Sequence, residues 1–149
     1  MKNDNKPTDA SFSFEEYRFT KASVNFAVIP ETANLMIDFQ PAGVYDPVKG
    51  LFRMELEFRA TDKDSGNTVI SVGCEAIFKF RKPLAFDELP SYFFANSTAI
   101  IYPYIRAFVS TLTLQANYTP FVLPTYNVMV LGIKLKDNSR TGDVTGEIG

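Results

Sequence analysis

The clearest pattern in the chain is the alternation in residues 51–61, LFRMELEFRAT: Phe52, Met54, Leu56 and Phe58 fall on one side, and Arg53, Glu55, Glu57 and Arg59 on the other. A period of two with an apolar and a charged face predicts a strand in a sheet that is dry on one side and wet on the other. Residues 68–82 repeat it, with Ile70, Val72, Cys74, Ala76, Phe78 and Phe80 on the dry side. Residues 35–40 form a shorter alternating set through Leu35, Ile37 and Phe39. Residues 12–29 carry two sets that are out of phase, Tyr17 and Phe19 against Val24, Phe26 and Val28. That predicts one long strand with a bulge or bend near Ala22. Pro30 ends this strand, DPVKG (46–50) reads as a turn, and DKDSGN (62–67) reads as a hairpin loop. The four strands form an antiparallel meander.

After Pro83 the period changes. Residues 86–94 predict a helical turn or two, broken by Pro90. Asn96, Ser97 and Thr98 are cap residues for a helix over 98–115, along which Ile101, Ile105, Phe108 and Leu112 recur at helical spacing. Ile100, Tyr104 and Val109 widen that stripe, so the helix needs cover on more than one side. Pro103 predicts a local bend. Residues 118–126, YTPFVLPTY, cannot be regular helix, and NVMVLGIKLK (127–136) leaves short helix and extended segment both open. We expect a disordered arm at 1–11, a single domain at 12–136, and a polar tail without core residues at 137–149. The fold class is α+β: a four-stranded antiparallel sheet followed by a long helix on one face.

Composition adds limits. The chain has 149 residues, of which 46% are hydrophobic, with 14 Phe, 7 Tyr and no Trp. That is more aromatic surface than a modest core hides, which points to an interface or binding groove. A net charge of −2 without a basic stripe argues against nucleic-acid binding. There is no histidine, so the commonest general base and neutral metal ligand is missing. Cys74, the single cysteine, lies on a dry face without a base partner and reads as an inert thiol. No acid–base pair stands out, and we expect a non-enzyme with no cofactor and no metal. The start, MKNDNKPTDAS, has no secretory pattern. The longest apolar run, residues 99–104, is too short for a bilayer. We therefore expect a cytoplasmic protein without stable membrane insertion.

The order of elements and the string IIYPYIRAFVSTLTLQANYTPFVLPTYNV (100–128) resemble the SecB-type protein-export chaperones. The matching features are Ile101-Tyr102-Pro103-Tyr104 followed by Arg106, then Tyr118 to Pro120 and Leu123-Pro124 in the loop. Phe19-Thr20-Lys21 in the first strand and Cys74-Glu75 in the fourth also match, so the similarity spans roughly residues 12–130. The resemblance implies an ATP-independent holdase for unfolded precursor polypeptides, a homotetramer built as a dimer of dimers, and delivery to the SecA translocation motor. For motor docking the family uses acidic side chains on the exposed sheet face. Glu75 is such an acid, but Ala22 and Phe26 stand at or near other acidic positions, and Gly73 replaces a leucine.

The expected client groove comprises Phe39, Tyr45, Phe121, Leu123, Tyr126 and Met129, and the expected subunit interface Ile101, Ile105, Phe108 and Leu112. The plain alternative for the proline-rich loop is a stiff connection that packs its own side chains on the sheet. Two rival functions are a carrier of a lipid-like small molecule, which requires a closed apolar cavity in a monomer, and an assembly protein with one fixed partner.

Overall fold

The computed structural model describes residues 11–27 and 34–146. Strands β1 (Phe12–Val24), β2 (Leu35–Asp46), β3 (Leu51–Asp62) and β4 (Thr68–Phe80) are followed by a 3₁₀ turn at Phe86–Glu88. Helices α1 (Ser91–Gln115) and α2 (Val128–Asp137) and a short strand β5 (Ser139–Thr141) complete the chain. The sheet order is β1-β4-β3-β2-β5. All neighbours are antiparallel except β2 and β5, which pair in parallel. The expected four-stranded sheet thus has a fifth strand, drawn from the tail that was expected to hold no core residues. Val144 in that tail has no exposed surface.

Strand β1 is longer than one pleat can keep in phase, and it slips twice, between Phe14 and Glu16 and between Phe19 and Lys21. Each slip restores apolar residues to the dry side: Phe12 and Phe14 pair with Phe80 and Phe78, then Tyr17 and Phe19 with Ala76 and Cys74, then Ala22 and Val24 with Val72 and Ile70. The bulge expected near Ala22 lies between Phe19 and Lys21, and another, unexpected one lies nearer the strand's start. Gly73 explains its own place here, since a Cβ on it would lie 3.3 Å from Lys21 Cβ and crowd the second bulge. Val28, Ile29 and Pro30 lie outside the described residues.

The two tight turns use one device. Asp46 Oδ1 accepts from the N–H groups of Val48 and Lys49, and Asp62 Oδ2 accepts from the N–H and hydroxyl of Ser65. Each turn closes on a glycine of positive φ, Gly50 at 69° and Gly66 at 75°. The Asp62 loop is thus a hairpin held by its own first residue.

Helix α1 starts at Ser91 after Pro90 and runs through Asn96, Ser97 and Thr98 without a break. The cap role expected for those residues does not occur. Ser97 and Thr98 are buried, and their hydroxyls donate back to the carbonyl of Phe94, with Thr98 also reaching Ala95. Pro103 and Ala99, whose carbonyl it leaves without a helical donor, both lie on the exposed side, and the helix continues. The core is the layer between this helix and the dry sheet face. Phe93 sits among Phe12, Phe52, Phe78, Phe80 and Phe94 with ring centroids 4.8–5.9 Å apart. Among the described residues, no helix is long and apolar enough to cross a membrane.

Candidate functional site

Helix α1 ends in a left-handed residue, Asn117 at φ 67°, with the N–H of Tyr118 on the carbonyl of Thr113 and that of Asn117 on Leu114. This cap turns the chain back along the helix. The loop that follows is tied down by side chains of α1. Thr113, fully buried, accepts the N–H of Phe121 on its hydroxyl oxygen at 2.8 Å. Ser110 donates to the carbonyl of Phe121 at 3.0 Å, and the Tyr102 hydroxyl donates to the carbonyl of Pro124. Burial raises the Tyr102 phenol above its ordinary value, which keeps this donor protonated. Leu123 plugs into the core between these ties, and Val122 is turned out into water.

Helix α2 forms the adjoining wall, resolving the open choice at 127–136 in favour of helix. Its N-cap is Asn127, whose side-chain oxygen accepts from Met129 and Val130. A Cβ on Gly132 would lie 2.7 Å from Ala95 N and 2.8 Å from Ala95 Cα, so the two helices touch backbone to backbone there. That contact turns Leu131 and Leu135 inward and leaves Met129, Val130 and Ile133 outside. Between α1 and α2 lies an apolar groove of about 220 Å³, lined by Tyr92, Phe94, Ala95, Met129, Gly132 and Ile133.

The residues expected in a client groove divide. Phe121 and Tyr126 are half-buried and Met129 is exposed, all on the loop and the α2 wall. Phe39, Tyr45 and Leu123 are fully buried in the single chain and are core residues. Phe39 packs its ring on Phe58, Tyr102 and Tyr126 at 5.2, 5.7 and 4.8 Å. Tyr45 lies at the other end of β2, with its hydroxyl on the carbonyl of Leu84 at 2.7 Å. Tyr92 and Ile133, exposed in the groove, and Val122 and Val130, exposed outside its lining, are absent from the expected set.

The expected interface stripe divides in the same way. Ile101 and Ile105 face the sheet and are core, because the inward row of α1 runs Thr98, Ile101, Ile105 and Val109. Phe108 and Leu112 sit on its flank, half-buried. Phe108 stacks on Phe19 at 4.0 Å and 13°. Together with Tyr17, Pro103, Tyr104 and Ala107 these two rings line a second apolar cleft, of about 440 Å³, along the free edge of β1.

The opposite face of the sheet is polar. Glu75 lies there between Arg18 on β1 and Glu55 on β3 in the strand register, and Lys21 and Arg59 pair with Glu57 at 3.7 and 2.6 Å. Cys74 is on the dry side, and burial pushes its thiol up to about 11. Among the described residues, no group of three or more His, Cys, Asp or Glu is placed to hold a metal ion.

No family model matches the chain. An uncharacterized protein of Methanocaldococcus jannaschii is 46% identical over 44 residues, which is 30% of this chain and only 28% of that relative's length. Among solved structures, the Mycobacterium tuberculosis SecB-like chaperone Rv1957, in complex with a ChAD peptide from the Rv1956 HigA1 antitoxin, superposes with a TM-score of 0.59 at 23% identity. That match covers 78% of this chain and 91% of the other. A Streptococcus agalactiae protein of unknown function gives a TM-score of 0.43 at 14% identity, over 77% and 98% of the two chains. The fold is SecB-like: a mostly antiparallel sheet backed by a long helix, with a short second helix beyond the loop.

Proposed function

We propose that this protein is an ATP-independent holdase that binds unfolded polypeptide segments in the groove between α2 and the start of α1. The observation that carries this reading is the row of large apolar side chains held in water there. Met129 is 62% exposed, Ile133 62% and Tyr92 50%, all three lining the groove. Scattered apolar residues need no explanation, but a contiguous row on a clamped scaffold marks a partner surface. The peptide bound to the SecB-like neighbour supports polypeptide as the ligand class. Each large client side chain contributes about 1.5–3 kcal/mol at most, and association consumes much of it, so tight holding needs several such grooves at once. The ring-filled space between sheet and α1 argues against a lipid carrier.

Several copies of the groove require an oligomer. The cleft of Tyr17, Tyr104 and Phe108 beside β1 supplies an apolar surface for a second copy, in line with a dimer of dimers. Glu75 is the proposed contact for a SecA-type motor. With Ala22 and Phe26 at or near the other acidic positions, we favour a dedicated client over general export. The lone buried thiol suits a reducing cytoplasm.

The test is aggregation of a slowly folding polypeptide with equimolar protein, alongside sedimentation to obtain solution mass. Suppression by an assembly of about four chains is expected. Ile133→Asp should reduce suppression while leaving the fold intact. Unchanged aggregation with the wild-type protein refutes the function.

A further inference from the structure

Residues 138–144 leave α2, round the β2 edge and end on the polar face of the sheet. Asn138 donates its side-chain N–H to the carbonyl of Pro41 at 3.1 Å and accepts the N–H of Gly43 on its own carbonyl at 3.2 Å. Strand β5 then pairs with Gly43, Val44 and Tyr45, and Gly142 N–H reaches the Tyr45 carbonyl at 2.9 Å. Val144 donates its N–H to Asp46 Oδ2 at 3.2 Å, and the Lys49 ammonium bonds both Asp143 and the Val144 carbonyl at 3.1 Å. The Val144 side chain is sealed against Ile77, with Val44 and Leu51 beside it, forming a small second core on the otherwise wet side of the sheet. Two glycines clear the route. A Cβ on Gly43 would fall 2.7 Å from Ser139 Oγ, and one on Gly142 would fall 2.8 Å from Val44 Cγ1.

A helix of ten residues does not hold itself in place. The position of α2 depends on its packing through Leu131, Gly132 and Leu135 and, at its last turn, on the segment that follows it. We infer that residues 138–144 are a strap that fixes α2, and hence the width of the peptide groove, from the opposite face of the sheet. Val144 and Asp46 are its positioning residues. The inference deepens the proposed function and rests on it for the binding readout alone. A wall set in advance spares the client the cost of ordering it, so a lifted strap shows as faster client loss.

The test uses the full chain with Val144→Asp, which places a carboxylate in the Ile77 socket beside Asp46, and Val144→Ile as the conservative control. Amide hydrogen exchange is expected to rise at least about 10-fold in 139–144 and in the last turns of α2, with β3 and β4 unchanged. Release of a reduced, carboxymethylated, fluorescent lactalbumin probe is expected to speed up about 3- to 10-fold. Val144→Ile should restore both. Gly142→Val, which pushes on Val44, serves as a second route should Val144→Asp fail to fold. The inference is overturned if the strap exchanges freely while α2 stays protected and probe release is unchanged. It is equally overturned if β3 and β4 lose protection together with the strap in both variants, since the segment is then part of the global fold. A wild-type protein that holds no probe refutes the chaperone reading, whereas the exchange experiment still decides whether the strap holds α2.

Discussion

Replacing Thr113 with valine isolates the clamp that holds loop 118–126 on α1. Thr113 Oγ1 accepts from Phe121 N at 2.8 Å and lies 3.1 Å from the carbonyls of Val109 and Ser110. Valine fills nearly the same volume, so packing at this buried site changes little. What changes is the Phe121 N–H, which loses its acceptor. An orphaned buried donor costs about 1–3 kcal/mol. Phe121 is half-buried, so water recovers part of this and the cost falls to about 1–1.5 kcal/mol. The parent helix keeps its own hydrogen bonds, so this cost is paid mainly by the loop. At 1.4 kcal/mol per decade, exchange of the loop amides should accelerate roughly 5- to 12-fold. The assay is hydrogen exchange on peptides covering 116–126, with thermal unfolding as a check on the whole. Ser110 still holds the Phe121 carbonyl, so Thr113→Val with Ser110→Ala should open the loop further than either change alone. Wild-type exchange in a folded Thr113→Val protein would mean that Leu123, sunk in the core, holds the loop without the clamp.

Gly132→Ala ordinarily stabilises a helix by about 1 kcal/mol. Here the new Cβ meets Ala95 backbone at 2.7 Å, so we expect a loss of about 1–3 kcal/mol in thermal or denaturant unfolding, and a gain would contradict the helix contact. Cys74 is expected to stay protonated at pH 8 because burial raises its thiol to about 11, so a thiol reagent should label it only as fast as the protein opens. Asp46 is held below the usual carboxylate range, first by the Val144 N–H and then by Lys49 N–H, and Asp62 first by the Ser65 hydroxyl. Their folded values lie below the unfolded ones, so their stabilisation is complete above the unfolded value of about 3.9 and is lost as pH falls through the folded values. Asp46→Asn with Asp62→Asn should therefore flatten the fall of stability below about pH 4, measured by urea unfolding at a series of pH values.

Much of the sheet was legible because strand periodicity is a local property. Each of β2, β3 and β4 alternates around residues that need one dry side, and the turns between them announce themselves with Asp at the start and Gly at the end. The slips in β1 showed as two sets out of phase, but their place is set by the partner strand: Gly73 on β4 makes room for the second. Strand β5 was not legible. Its three residues carry no pattern of their own, and they become a strand because Gly43 lets them approach β2. The start of α1 was misread at Ser97 and Thr98, since a hydroxyl that caps a helix end in one setting bonds back to the preceding turn in another.

The groove was harder to read than the fold, for a reason that bears on how such surfaces arise. Large aromatic and leucine side chains near the prolines suggest a groove lining, yet size rewards burial, and Phe39, Tyr45 and Leu123 lie in the core. The side chains left in water are their immediate alternates: Val122 between Phe121 and Leu123, and Met129 and Ile133 on the far side of α2 from Leu131 and Leu135. An element that is apolar all round must choose which side to hide, and close contacts make that choice. On α2 the choice falls to Gly132, the one residue small enough to lie against Ala95, and on the loop to the hydrogen bonds that fix Phe121 on both its N–H and its carbonyl. Moving the small residue one place along α2, with Gly132→Leu and Ile133→Gly, should therefore rotate a different row of side chains outward. An exposed apolar surface in this fold is then a by-product of where the backbone contacts lie, which is why no string of aromatic residues announces it.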